Sequence, residues 1–437
     1  MLQTALSALS LISSVAIALL VLVKPTLGGP SFLIAVLIAP YVHAGPLGFR
    51  IELLLTPVLL LFAVLVHNRG RFVWPSVATA FAWWFLWMGL VTMLHSGDTG
   101  VTSIPWVSLY GFARPVLLLV LFASMPLVAE ELPRLARLFV YLCIPLGVFA
   151  AVQSLGFSAA TDVTLAGYSS PTRTPIGTLL SQFGAIVRGV SVFESPPYAA
   201  TYFLLVLSTG LWILFVDRAP GGGQKRTLTL LGMGAALLGG LFTLSATFIG
   251  GLVIVLVQFL WLTRRRRAHF SFALAIVLVG MAGAALLYAM SQGGILSGTL
   301  AYQSNRLLTL SVFASRYAGG TGIESAALLS IADHPFSGVG MFLREGIFVG
   351  DSIFVVIPYW GGIVGAALFA YLLYRSWRST SHHPDAHSLV ALWVVVLLSA
   401  GLGSATFLTP RVSDWWWAMV GLGCAASPTK GADHHLS

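Results

Sequence analysis

The sequence predicts an all-α, polytopic integral membrane protein, and three observations carry that prediction. Hydrophobic residues make up 57% of the chain and charged residues 8%, against about 25% charged in an ordinary soluble domain. Mean hydropathy is +0.91. Apolar runs of roughly 20 residues, long enough to cross a hydrocarbon core of about 30 Å, recur along all 437 residues. The runs are continuous rather than alternating, which selects helices over a closed β-barrel, the other structure that satisfies its backbone inside a bilayer.

Taken in order, the segments expected to span are 5–23, 32–45, 51–66, 73–94, 115–128 and 135–155. After a polar loop come 197–215, 228–244, 248–262 and 270–290, and after a larger loop 353–374, 389–407 and 415–425. The second and last of these thirteen are short, so 12–13 crossings are expected. They form one transmembrane domain, 1–437, interrupted by large loops at 156–196 and 291–352. The first run has no basic stretch ahead of it and Lys24 behind it, so it reads as a retained helix rather than a cleaved signal. Cys143 and Cys424 fall within apolar runs and read as small buried hydrophobes.

The formal net charge of +9 lies mostly in short flanks between spans, a topology signal rather than a nucleic-acid footprint. Basic residues concentrate on the cytoplasmic side of membrane proteins. Arg264, Arg265, Arg266 and Arg267 form the strongest anchor, and alternating outward from them puts all three lysines, Lys24, Lys225 and Lys430, inside. The outer side keeps Arg50, Arg114, Arg173, Arg188, Arg306, Arg316, Arg344 and Arg411, and both large loops. Every outer cation is thus an arginine. A guanidinium donates paired hydrogen bonds to phosphate or carboxylate and stays charged where water is scarce. The general preference of this chain for arginine is the alternative explanation.

The first loop ends in Arg188-Gly189-Val190-Ser191-Val192-Phe193-Glu194-Ser195-Pro196. Prolines suit the first turn of a helix, so Arg188 and Glu194 are expected at the positive end of a helix dipole, where an anion is favoured. An Arg–Glu pair that only ties down the helix start is the structural alternative. Thr243, Ser245 and Thr247 mark a turn whose hydroxyls are expected to satisfy backbone carbonyls. In the second loop Arg306 and Arg316 would project roughly 80° apart on one interfacial helix. His334 precedes a proline in a glycine-rich turn, where loop shaping competes with a role as base. Trp415, Trp416 and Trp417 read as an interfacial aromatic belt, with sugar stacking the sharper alternative. His382, His383 and His387 read as a solvated loop.

Several of these segments resemble the O-antigen polymerase and O-antigen ligase superfamily. They are Arg-Gly-x-x-x-Phe-Glu-x-Pro from Arg188, Thr243-Leu244-Ser245 ahead of an apolar helix with a basic end, His334-Pro335-Phe336-Ser337-Gly338-Val339-Gly340, and Asp351-Ser352 leading to Gly361-Gly362-Ile363-Val364-Gly365. The match runs over roughly 188–374. The resemblance implies a metal-independent, cofactor-free glycosyltransferase of the membrane-embedded GT-C type in the bacterial cytoplasmic membrane, its site facing the periplasm. The donor would be an undecaprenyl-diphosphate-linked glycan. The acceptor would be another lipid-linked repeat or lipid A core, with a chain-length regulator as a further partner and no nucleic acid involved. By position, Arg188, Arg306 and Arg316 take the diphosphate-binding role, and Glu194, Asp351 and His334 are the catalytic candidates. Asp351-Ser352 stands where ligases usually carry His-Asn, and Glu194 is closer to the polymerase pattern, so polymerase is the expected activity.

The chemistry agrees with that expectation on its own terms. A sugar diphosphate already carries its leaving group, so the protein has to stabilise charge developing on it, which arginines in a water-poor site do. The acceptor hydroxyl needs at most a base within about 3 Å. No Asp-x-Asp metal motif occurs in the sequence. A lipid or solute transporter is the rival from another class; such proteins tend to show inverted repeats and charges near the midplane, whereas here no repeat is visible and the charged groups collect at one face.

Overall fold

The structure, a computed structural model, describes residues 2–44, 47–67, 73–97, 106–125, 131–168, 188–216, 223–264, 317, 324–341, 349 and 352–425. Among these, fourteen α-helices, one π-helical turn and one two-stranded antiparallel ribbon are present. Six helices are long and apolar enough to cross a membrane, and four shorter apolar helices accompany them. The chain is therefore an all-α, multi-pass membrane protein. Twelve of the thirteen expected spans coincide with a helix; the other, 270–290, lies outside the described residues.

Helix α1 (Leu2–Val23) turns at Lys24 directly into α2 (Pro25–Ile38). α2 thus starts seven residues before the expected 32, because Pro25 suits the first helical turn. It stops before Pro40, and the next residues form the ribbon β1 (Val42–Ala44) and β2 (Leu47–Phe49), with Val42 opposite Phe49. There follow α3 (Ile51–Phe62) with its π turn (Ala63–His67), α4 (Ser76–Leu94), α5 (Trp106–Ser124) and α6 (Leu132–Ser154). The short α7 (Ser158–Tyr168) precedes α8 (Pro196–Phe215), α9 (Gly223–Phe242) and α10 (Ala246–Thr263). The last four are α11 (Ser325–Asp333), α12 (Ile353–Ser379), α13 (Pro384–Ala400) and α14 (Val412–Ala425).

Helix α8 is the axis of the bundle. It is apolar all round, the pattern of a helix enclosed by others, and 83% of its best spanning window is buried. Its few polar groups pair at depth. Ser208 donates to Gln258 Oε1 at 2.8 Å, Gln258 Nε2 donates to Leu392 O at 2.9 Å, and Trp393 Nε1 donates to Thr209 Oγ1 at 2.8 Å. These bonds tie α8 to α10 and α13 where apolar burial alone discriminates poorly between helix faces. α1 stands at the other extreme: Leu9, Leu11, Ile12, Val15 and Leu19 point outward, while Ser7, Ser10 and Ser14 face the protein.

The aromatic belt expected at 415–417 is overturned. Trp415, Trp416 and Trp417 are fully buried, with Trp415 Nε1 donating to Leu33 O and Trp417 Nε1 to Phe407 O. α14 is wrapped by protein, so its tryptophans pack on Phe139, Phe81 and Phe407 instead of meeting lipid headgroups.

Helix α12 is broken at Gly362, whose φ of 61° and ψ of −160° no side-chain-bearing residue adopts readily. The segment His334–Gly340 fills the break. Val339 N–H and Gly340 N–H donate to Tyr359 O and Trp360 O at 2.8 and 3.1 Å, and Ile363 N–H donates to Pro335 O at 2.8 Å. Trp87 Nε1 supplies Gly361 O at 2.8 Å. A Cβ on Gly338 would lie 2.6 Å from both Gly362 N and Tyr359 O, and one on Gly362 would lie 2.2 Å from Phe336 O. The glycines of the His-Pro-x-x-Gly-x-Gly motif therefore serve close backbone packing. Gly362→Ala is expected to destabilise the protein by about 2 kcal/mol or more, read as a lower unfolding temperature in detergent, while Gly89→Ala, where an added Cβ meets nothing within 4 Å, leaves it unchanged.

Candidate functional site

The loops assigned by charge to one side of the membrane meet at one end of the bundle. Tyr41 N–H donates to Gly167 O, Gly189 N–H to Phe242 O and Ile353 N–H to Gly401 O. Lys24, Lys225 and the α12–α13 turn belong to the opposite end. At the first end the structure gathers Arg50, Arg114, Arg188, Arg411, Glu194 and Asp414.

The Arg188–Glu194 segment is held from below by Gln153 on α6. Gln153 Oε1 accepts Val190 N–H at 3.0 Å and Ser191 N–H at 2.7 Å, and its Nε2 donates to Ser191 O at 3.1 Å and to Thr164 Oγ1. Ser191 takes a left-handed φ of 54°, and its hydroxyl donates to Leu146 O at 2.9 Å. Gly189 is required because a Cβ there would sit 2.5 Å from Ala150 O. Arg188 Nε donates to Thr243 O at 3.0 Å, which joins this segment to the α9–α10 turn. The Thr243 hydroxyl donates to Gly240 O at 2.7 Å, the carbonyl role expected of it.

Glu194 lies one residue before Ser195, the N-cap of α8, with Pro196 and Pro197 in the first turn, as expected. Its carboxylate accepts a hydrogen bond from the Tyr41 hydroxyl. Tyr41 itself is 5% exposed. Burial, with the Glu194 charge behind it, pushes its phenol well above the ordinary range, and Arg50 and Arg411 only partly oppose the shift. The hydroxyl therefore stays protonated and donates.

Arg411 is buried and ties three elements, α2, α7 and α14, together. Its Nη1 and Nη2 donate to Leu37 O at 2.6 Å and Ala39 O at 2.9 Å, and its guanidinium lies 5.0 Å from the Tyr168 ring centre. Tyr168 donates to Ile38 O at 2.7 Å. Three carbonyls at the C-terminus of α2, groups that have no partner within their own helix, are thus capped from α7 and α14. Asp414 accepts Arg411 N–H at 2.8 Å, in the manner of the acidic half of a capping box, and accepts Arg114 Nε at 2.7 Å. Arg114 and Asp414 are 4% and 0% exposed.

Of the other sequence candidates, His334 is exposed at the C-terminus of α11. It accepts Gly338 N–H at 2.9 Å through its carbonyl, and its ring meets His95 edge-on at 5.4 Å. Arg306, Arg316 and Asp351 lie outside the described residues, as does most of the second loop; Tyr317, which is described, donates to Leu402 O at 2.6 Å. Among the described residues, no three of His, Cys, Asp and Glu gather as metal ligands. Tyr41, Gln153 and Asp414 were not singled out by their residue types; only the position of Gln153 as a lone amide in an apolar run could have drawn notice.

Comparison of the chain with protein-family models gives no match, and comparison with curated protein sequences gives none either.

Removing one member of a buried ion pair strands the other, which costs about 3–5 kcal/mol. Arg114→Met is expected to lower the unfolding temperature sharply, and Arg114→Met combined with Asp414→Asn to recover part of the loss, both measured on detergent-solubilised protein.

Proposed function

We propose that the chain is a metal-independent membrane glycosyltransferase that polymerises undecaprenyl-diphosphate-linked oligosaccharide repeat units on the outer face of the bacterial cytoplasmic membrane. In this reading the 12–13 crossings place both large loops in the periplasm. The donor glycan is passed from its lipid diphosphate to the terminal sugar of a second lipid-linked repeat. One observation carries the reading: Arg188 and Glu194 lie on one fastened segment at the end of the bundle to which the positive flanks assign both loops.

The roles are those that the family resemblance implies. Arg188, with Arg306 and Arg316 from the second loop, binds the diphosphate and stabilises the charge it gains as it leaves. Glu194 takes the acceptor proton, with Asp351 as the second carboxylate, and His334 shapes the turn that fills the α12 break. Transfer to lipid A core would use the same donor chemistry, and Asp351-Ser352 at the ligase His-Asn position favours polymerase over it. The break in α12 would favour transport if it offered free backbone groups to a solute. Instead Tyr359, Trp360 and Gly361 carbonyls are taken by Val339, Gly340 and Trp87, which supports the enzyme reading.

Arg188→Ala and Arg316→Ala are each expected to lower polymer yield by about a hundredfold or more, with membrane abundance unchanged on immunoblot. The assay uses purified protein and lipid-linked repeat units, and product length is read on a gel. Wild-type yield from both variants removes the arginine clamp. Glycan found on lipid A core, or vesicle uptake without chain growth, replaces polymerase by ligase or transporter.

A further inference from the structure

Tyr41 is outside the residues given a role above, yet its backbone and its ring are both held in place. Its N–H donates to Gly167 O at 2.7 Å, and its carbonyl accepts the Ser7 hydroxyl at 3.4 Å. The preceding Pro40 O accepts Ser10 Oγ at 2.8 Å. Two serines of α1 and a carbonyl of α7 therefore fix the backbone from which the ring projects, and the ring is almost wholly buried. Its hydroxyl ends on Glu194, 153 residues further along the chain.

We infer that Tyr41 is a positioning residue of Glu194, its hydroxyl orienting the carboxylate that takes a proton from the acceptor sugar. This rests on the reading of Glu194 as the base. In the step it serves, the acceptor O–H bond breaks and its proton passes to Glu194. The acceptor oxygen forms a bond to the anomeric carbon, and the bond from that carbon to the diphosphate oxygen breaks, its electron pair leaving with the diphosphate. A carboxylate on a flexible side chain samples several rotamers; an oxygen pinned by a buried phenol samples few, and misplacement by about 1 Å can cost a hundredfold in rate.

Several charged and titratable groups among the described residues surround this pair. Arg50 and Arg411 act on the Tyr41 hydroxyl, and Glu194 comes from the start of α8. His43 lies 6.1 Å away, ring centre to ring centre, with burial lowering the proton affinity of its imidazole. Arg188 belongs to the same segment as Glu194. A donor to the ionised form of a carboxylate stabilises that form, so changing the phenol changes the pH at which Glu194 gains its proton.

The test compares wild-type protein with Tyr41→Phe and with protein carrying 3-fluorotyrosine at 41, a phenol of nearly the same size and a stronger donor. The substrate is an undecaprenyl-diphosphate-linked repeat unit, and kcat and KM are followed against pH. Tyr41→Phe is expected to lower kcat about tenfold or more, with KM for the lipid-linked substrate within about twofold. It moves the acid limb of kcat upward by about one pH unit, and fluorotyrosine moves that limb downward. Should Tyr41→Phe fail to accumulate, the fluorotyrosine protein alone decides, because it keeps the ring and its packing. A wild-type enzyme that extends glycan, with an acid limb unmoved by either change, overturns the inference and leaves the polymerase reading intact. A wild-type protein that extends nothing overturns both.

Discussion

A backbone N–H or C=O left unpaired inside a bilayer costs several kcal/mol, and this constraint decides where the chain can depart from helix. It departs in two notable places. At Gly362 the freed groups of α12 are taken up by the segment 335–340 and by Trp87. At 188–194 an irregular run is fastened by Gln153, which bonds to three backbone groups through its two amide atoms. Both departures lie at the end of the bundle that carries the arginines. In both places the irregular backbone is fastened by pairing and not by burial alone.

The arginines of this end differ in burial. Arg411 and Arg114 are enclosed and bonded to carbonyls and to Asp414. Their charge is spent on architecture: capping α2, starting α14 and joining α5 to both. Arg188 is only partly buried and lies beside the segment that presents Glu194. A buried ion pair adds little net stability compared with apolar packing of the same volume, so the gain from Arg114 and Asp414 is a fixed register between α5 and α14. That register holds Arg411, and through Arg411 the C-terminus of α2 and the tyrosine that follows it.

Much of this was legible from residue pattern. Apolar length located the helices, because hydrophobic thickness is a strong and local signal. Alternation of basic flanks predicted which loops share an end, and the hydrogen bonds between those loops agree. What pattern could not supply was contact between distant segments. Tyr41 and Glu194 are separated by the five described helices α3 to α7, and nothing about a tyrosine after Pro40 announces a carboxylate partner. The tryptophan triplet was misread for a related reason: aromatic residues at a span end usually meet headgroups, and only the packing of α14 within the bundle shows that these do not. The arginines at 306 and 316 and the aspartate at 351, on which the substrate reading also leans, lie outside the described residues.

Enclosure has one more outcome for α14. At 14 residues it rises only about 21 Å, short of a hydrocarbon slab of about 30 Å. A lipid-facing helix of that length would thin the membrane around it or tilt its neighbours. Because α14 has protein on every side, its ends need match nothing but Leu33, Phe407 and Thr380, and the bilayer exerts no demand on its length. The chain can accordingly bury an acidic first turn, Asp414, away from water, with the Arg114 guanidinium and the Arg411 backbone N–H in the place of solvent.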